Sequence, residues 1–292
     1  MKSTQIPQFI SLLFFIPLLI YADEAEEYME PMKIGNFALS FSQQPGPLVS
    51  FGQNVILQGI TQLYLFGDAF IGKQNYQTDL IPNVIYGITD DFSIFLNVPF
   101  SPGNKNGDFH SSGLEDVFAQ LEYAFYTEGS LDAIQQATIV GNVTFPTGSS
   151  SKNPPTGIGS CSFFIGATYM YMKTDWFFFT SPGVVLTTER HRTKAGNQVL
   201  YQFGLGRNIP SPCGWIFAWQ IEFDGEYSWK SKFKGSTNRN SGGNVIYITP
   251  SFWASSEKLI FQLGAGYPAV QHLNGKQSKK FLSVVFNFGI AF

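Results

Sequence analysis

Two stretches of the chain carry acids and carboxamides at every second position. Gln220, Glu222, Asp224 and Glu226 alternate with Trp219, Ile221, Phe223 and Tyr227, and Asp116, Gln120 and Glu122 alternate with Val117, Ala119, Leu121 and Tyr123. A β-strand points successive side chains to opposite faces, so each polar set shares one face. A row of carboxylates can bind cations or accept hydrogen bonds. Catalysis asks for more, a nucleophile or proton carrier with an orienting partner in reach. The three histidines, His110, His191 and His272, fall in stretches read below as loops, away from any Ser on a strand face. No catalytic residue and no enzyme are expected. The two cysteines, Cys161 and Cys213, make no zinc spacing with these histidines, so no metal is expected. Gly157-Ile-Gly159 and Gly204-Leu-Gly206 have no following helix to make them nucleotide loops, so no cofactor is expected either.

The elements that carry these residues are strands of one kind. In Phe281–Phe292, Leu282, Val284, Phe286, Phe288, Ile290 and Phe292 form one apolar face, opposite a face that includes Ser283, Asn287, Gly289 and Ala291. That run is long enough to cross a bilayer at a tilt. In 91–100, Phe92, Ile94, Leu96, Val98 and Phe100 oppose Ser93 and Asn97. Only 13% of the 292 residues are charged, while 16% are aromatic with 30 Phe, a composition that suits a wall facing lipid better than a soluble surface. The net charge of −3 excludes a nucleic-acid partner, which would want a basic surface. Mean hydropathy of +0.01 is far below that of a helical membrane protein and suits strands with one apolar and one polar face. The pattern predicts an all-β fold, a transmembrane antiparallel up-and-down β-barrel of about 12 strands over residues 57–292. Approximate spans are 57–69, 76–88, 91–100, 114–126, 134–146, 159–171, 175–188, 197–208, 214–228, 243–253, 257–267 and 279–292.

Residues 1–22 read as a signal peptide, with Lys2 before the apolar run Phe9–Ile20 and cleavage after Ala22. Export and the barrel pattern together predict the outer membrane of a Gram-negative bacterium. Residues 23–56 hold an acidic run and Gln43-Gln-Pro-Gly-Pro47, which suits no central strand. They are expected to form a periplasmic or lumen-plugging segment. The terminal Phe292, with Phe286 and Phe288, resembles the C-terminal signal read by the barrel-assembly machinery during insertion.

Charged side chains cannot face lipid cheaply, so the strand acids must face inward. The expected lumen lining is Asp116, Gln120, Glu122, Gln220, Glu222, Asp224 and Glu226 with the inward aromatics Phe95 and Phe118, joined by Phe164 and Phe281. Connections alternate between tight turns and mostly longer loops, and the longer set holds thirteen Lys and Arg against two acids. Arg190, Arg192, Lys230, Lys232, Lys234, Lys279 and Lys280 are thus expected on basic surface loops facing the anionic groups of lipopolysaccharide. Cys161 falls near the outer end and Cys213 in a periplasmic turn. An apolar band about 25 Å tall would separate them and prevent a disulfide.

Several stretches in order resemble the outer-membrane transporter family named for the MetA pathway of phenol degradation. They are Gln44-Pro-Gly-Pro47 with Ser50-Phe-Gly-Gln53, Pro82–Pro99, Gly113-Leu-Glu-Asp-Val117 and Gly141-Asn-Val-Thr-Phe-Pro-Thr-Gly-Ser149. Glu115 departs from the family's Gly-Leu-Gly-Asp pattern. The resemblance implies an outer-membrane barrel that passes aromatic or hydrophobic compounds. Combined with the inward acids and aromatics, it predicts a channel or transporter for a small, partly hydrophobic solute through a narrow lumen. The alternative is a closed structural or surface-interaction barrel that binds lipopolysaccharide or host surfaces through its basic loops.

Overall fold

The computed structural model of the chain describes residues 39, 41–52, 54–130, 132–211 and 214–292. The expected signal peptide, the acidic run and Cys213 lie outside the described residues. Among the described residues, sixteen strands follow a 3-10 turn at Phe41–Gln43. They are β1 (Thr61–Gly72), β2 (Asn75–Thr89), β3 (Phe92–Asn97), β4 (Phe100–Asn106), β5 (Phe109–Leu114), β6 (Phe118–Gly129), β7 (Ala133–Thr144) and β8 (Ser162–Lys173). The second half holds β9 (Trp176–Thr187), β10 (Gln198–Ile209), β11 (Ile216–Ser228), β12 (Lys232–Phe233), β13 (Ser236–Thr237), β14 (Gly243–Ser255), β15 (Leu259–Leu273) and β16 (Lys280–Ala291).

All strands but the small β12–β13 hairpin join one antiparallel sheet. It closes on itself because β1 pairs with β2 on one side and with β16 on the other, from Gln62↔Ala291 to Ile71↔Leu282. Two of the staves are broken strands. β3 and β4 both pair with β2, one beyond the other, interrupted at Val98-Pro99, where proline cannot donate to the ladder. β5 and β6 continue one another in the same way beside β4 and β3. Counted as staves, the wall is the expected 12-strand barrel. Closure leaves no edge in lipid, which is why an isolated open sheet could not serve.

Burial is inside out. Leu63, Leu65, Ile94, Leu96, Trp219 and Phe223 are exposed, while their neighbours Gln62, Ser93, Gln220 and Glu222 are buried. The period-2 pattern therefore turns apolar side chains toward lipid and polar ones toward the lumen. Aromatic rings run across the outer surface from Trp176 to Phe178, Phe203 and Phe223, with neighbouring centroids 6.2 to 6.5 Å apart.

Several boundaries differ from the sequence reading, β6 among them, which runs from Phe118 to Gly129 against the expected 114–126. Leu57–Ile60 precedes β1 instead of opening it. Residues 101–113, expected as a loop, mostly prolong the wall as the β4–β5 hairpin, turning at Gly107 with φ 62°. β15 runs to Leu273, beyond the expected end at 267. At the long-loop end, backbone pairing continues while alternation fades, because neither face there needs to be apolar.

Candidate functional site in the lumen

Residues 41–52 and 54–56 lie against the inner wall outside its strand ladder, and Gly59 and Ile60 then meet Gly87 of β2 through backbone hydrogen bonds. Pro45 and Pro47 lack amide hydrogens, so this segment cannot pair as a strand. Its remaining buried backbone groups still need partners, and inward side chains supply them. Glu222, 0% exposed, accepts the amides of Leu48 at 2.7 Å, Val49 at 3.2 Å and Ser50 at 3.1 Å. The Ser50 hydroxyl donates to both Glu222 and Asp224. Glu122 accepts the Asn54 amide at 2.9 Å, and the Ser93 hydroxyl accepts that of Ile56 at 2.9 Å. Carbonyls are matched too. Gln220 and Gln262 both donate to Gly46 O, Ser255 to Gln43 O and Ser181 to Phe51 O.

The wall is also shaped to this segment. Gly166 and Gly183 are cross-strand partners in β8 and β9. A Cβ on Gly166 would lie 2.5 Å from the Phe51 ring, and one on Gly183 would lie 2.6 Å from Phe164 and 2.9 Å from Phe51. The paired glycines thus make the recess in which Phe51 and Phe164 meet edge to face, 4.4 Å between centroids. At Gly87 a Cβ would strike Leu57 O at 2.1 Å. Further along, Ile56 packs with Ile85 and Phe95 in a small apolar cluster inside the barrel.

The other expected lining residues fall in different settings. Gln120 donates to Glu122 at 2.7 Å, and Gln220 donates to Glu222 at 3.0 Å. Asp224 is buried and accepts the Thr249 hydroxyl at 3.0 Å. Glu226 is exposed and accepts from Gln198 and Ser228. Phe118 is half-buried at the start of β6. Asp116 serves a loop instead of a free wall: its oxygens accept the amides of Gly148 at 2.9 Å and Ile158 at 2.6 Å, folding back the 145–161 connection.

A second departure occurs at the head of β16. Lys280 was expected on a surface loop and Phe281 in the lumen. The register slips there, with Ile71 opposite Leu282 but Gly72 opposite Lys280. Phe281 is skipped and 53% exposed, while Lys280 is half-buried with its ammonium 3.9 Å from the Phe70 ring centroid. Sequence reasoning also passed over Asp68 and Asp79, which face each other across β1 and β2 and act electrostatically on Lys280. Alternation outward from Gln62 could have located Asp68. A one-residue slip is invisible in the pattern.

Arg190, Arg192, Lys230, Lys232, Lys234 and Lys279 are exposed in connections at the long-loop end. Two of these connections are tied together. Lys194 and Lys232 exchange backbone hydrogen bonds at 3.0 and 2.8 Å, and Gly235 donates to Arg192 O at 2.6 Å. His191, Arg192 and Lys234 all adopt positive φ, at 49°, 60° and 50°, in the tight turns that form these tips. His110 lies in β5 and His272 in β15, both exposed, so neither belongs to a loop. Cys161 is a free, half-buried thiol beside β8. Phe288 and Phe292 are exposed on the outer face, and the Phe292 amide donates to Thr61 O at 2.9 Å. Among the described residues, no three His, Cys, Asp or Glu side chains gather to hold a metal.

Above the seated segment a cavity of about 540 Å³ opens in the barrel. Val49 is part of its lining. Phe70, Tyr247, Asp224, Glu226 and Lys280 give it aromatic and charged surface. The size suits a small organic molecule.

Comparison with known proteins locates this architecture. The sequence profile of the family described as "Putative MetA-pathway of phenol degradation" matches residues 40–270. Among solved structures, the chain is similar to the COG4313 outer membrane channel from Pseudomonas putida F1. That match has 14% identity over 85% of this chain and 99% of the other, with a TM-score of 0.65. The NanC porin aligns at 12% identity over 79% of this chain and 98% of the other, with a TM-score of 0.45. No curated protein matches the sequence.

Proposed function

The chain belongs to the "Putative MetA-pathway of phenol degradation" family of bacterial outer-membrane channels, and from that premise we propose that it passes a small, partly hydrophobic solute, aromatic compounds included, through a narrow lumen gated by its own N-terminal segment. The observation that carries the reading is the way residues 46–52 and 54–56 are held. Their backbone is matched by inward Glu222, Glu122, Ser93, Gln220 and Gln262, and the Phe51 ring sits over Gly166 and Gly183. A wall that supplies acceptors to an irregular segment is built to seat it. Solute would gather in the 540 Å³ cavity and pass when the segment moves. The test is uptake by proteoliposomes of neutral aromatic, cationic and anionic solutes, with planar-bilayer recordings of the same preparation. Flux of some solute supports the channel; none with any solute refutes it.

The basic tips support a second role, contact with lipopolysaccharide. Lys194 and Lys232 stand opposite one another across a backbone bridge, and like charges so placed repel. Phosphate groups of the outer leaflet would relieve that repulsion. Deleting 229–243 should weaken lipopolysaccharide binding. If binding persists unchanged while the barrel stays folded, these loops are not the contact. For insertion, Phe286, Phe288 and Phe292 are the residues the assembly machinery would read, so removing Phe292 should slow membrane assembly in cells.

A further inference from the structure

We infer that the cavity above the segment is a binding site for an organic ammonium ion with an aromatic or aliphatic body, so that the channel favours cationic over anionic solutes. This rests on the channel reading above and names the class of solute. Two carboxylates line the cavity, Asp224 and Glu226. Asp224 has both oxygens engaged by hydroxyls of Ser50 and Thr249. Glu226 differs. Gln198 and Ser228 both donate to the same oxygen, Oε1, and its side chain is exposed. Gln202 lines the same cavity at 8% exposure, and its amide oxygen has no hydrogen-bond partner. The cavity thus offers acceptors that want donors.

Its apolar surface complements that polarity. Leu200, Val245 and Val285 lie beside the Phe70–Tyr247 edge-to-face pair, whose centroids are 5.8 Å apart. Aromatic faces attract ammonium groups. The chain itself shows the chemistry, because the Lys280 ammonium sits 3.9 Å from the Phe70 centroid within the field of Glu226, Asp68 and Asp79. Of the two carboxylates that line the cavity, Glu226 is the exposed one, with Oε2 open to a ligand. An anion would have to draw Lys280 off the Phe70 ring to find a basic partner, while an ammonium could bridge Glu226 and Gln202 with its body on the aromatic wall. Lys280 is then a competitor of the ligand, not its receptor.

The experiment is calorimetric titration of the purified, detergent-solubilised protein with phenethylammonium and, separately, with phenylacetate, which differ mainly in the sign of charge. Phenethylammonium should bind and phenylacetate should not. Glu226→Gln should weaken phenethylammonium binding about tenfold, the scale of one hydrogen bond to a charged group, whereas Lys280→Gln should strengthen it. Equal or tighter binding of phenylacetate, loss of binding in Lys280→Gln, or no binding of phenethylammonium to the wild type would each overturn the assignment. Binding is read without transport, so a preparation that binds phenethylammonium but passes no solute would refute the channel and leave the site standing. Flux without charge preference would do the reverse.

Discussion

Replacing Glu222 by Gln perturbs the seat of the segment at one atom. The carboxylate accepts five hydrogen bonds. Oε1 takes Leu48 N and Gln220 Nε2, and Oε2 takes Val49 N, Ser50 N and the Ser50 hydroxyl. Glutamine keeps one acceptor and puts an NH₂ in place of the other. In the better orientation the amide oxygen faces Val49 and Ser50, the NH₂ faces Leu48 N, and Gln220 can turn its own amide to compensate. One buried backbone amide is then left unmatched, which costs about 1–3 kcal/mol. At about 1.4 kcal/mol per factor of ten, the seated state loses roughly tenfold to a hundredfold against the unseated one. Amide hydrogen exchange read by mass spectrometry over 46–56 should accelerate by that factor, while exchange in the barrel strands stays unchanged. Channel openings in planar bilayers should become more frequent by a similar factor. Unchanged exchange over 46–56 with an intact barrel would mean that Glu222 does not hold the segment. Faster exchange with unchanged conductance would mean that the segment does not gate the lumen.

Removal of residues 23–53 should raise conductance severalfold in a barrel that still migrates as folded on unheated gels, and an unchanged conductance would count against a plug. Gly183→Leu fills the recess beneath Phe51 and Phe164, where a Cβ alone already comes within 2.6 Å of a ring; it should unseat the segment and raise protease sensitivity near Phe51 without unfolding the wall. Phe223→Arg puts a charge on an exposed outer position and should destabilise the barrel by about 2–4 kcal/mol if Phe223 lies at the bilayer midplane, measured by urea titration in lipid vesicles. Cys161, a free thiol near the long-loop end, should react with a membrane-impermeant maleimide on whole cells, and protection there would argue against the assumed orientation.

Sequence alone carried the wall. Lipid lies on one side of each strand and the lumen on the other, so the demand for an apolar or polar side chain alternates residue by residue. Leu63, Ile94, Trp219 and Phe223 against Gln62, Ser93, Gln220 and Glu222 record it directly. Stave number and lipid face follow from such local pairs. What Glu222 does could not be read this way, because its partners Leu48 to Ser50 lie 172 to 174 positions away. Its inward direction is a property of β11, but its engagement by backbone amides is a property of a segment with no periodicity. Gly166 and Gly183 are likewise mute in sequence. They become a recess only when β8 pairs with β9 and Phe51 arrives from elsewhere. Lys280 belongs to the cavity because the ladder slips one residue at Phe281, a choice made by the pairing of β16 with β1. Faces are set by the solvent each residue meets, which is local. Contacts across the lumen are set by which distant residues closure brings together, and only the folded barrel decides that.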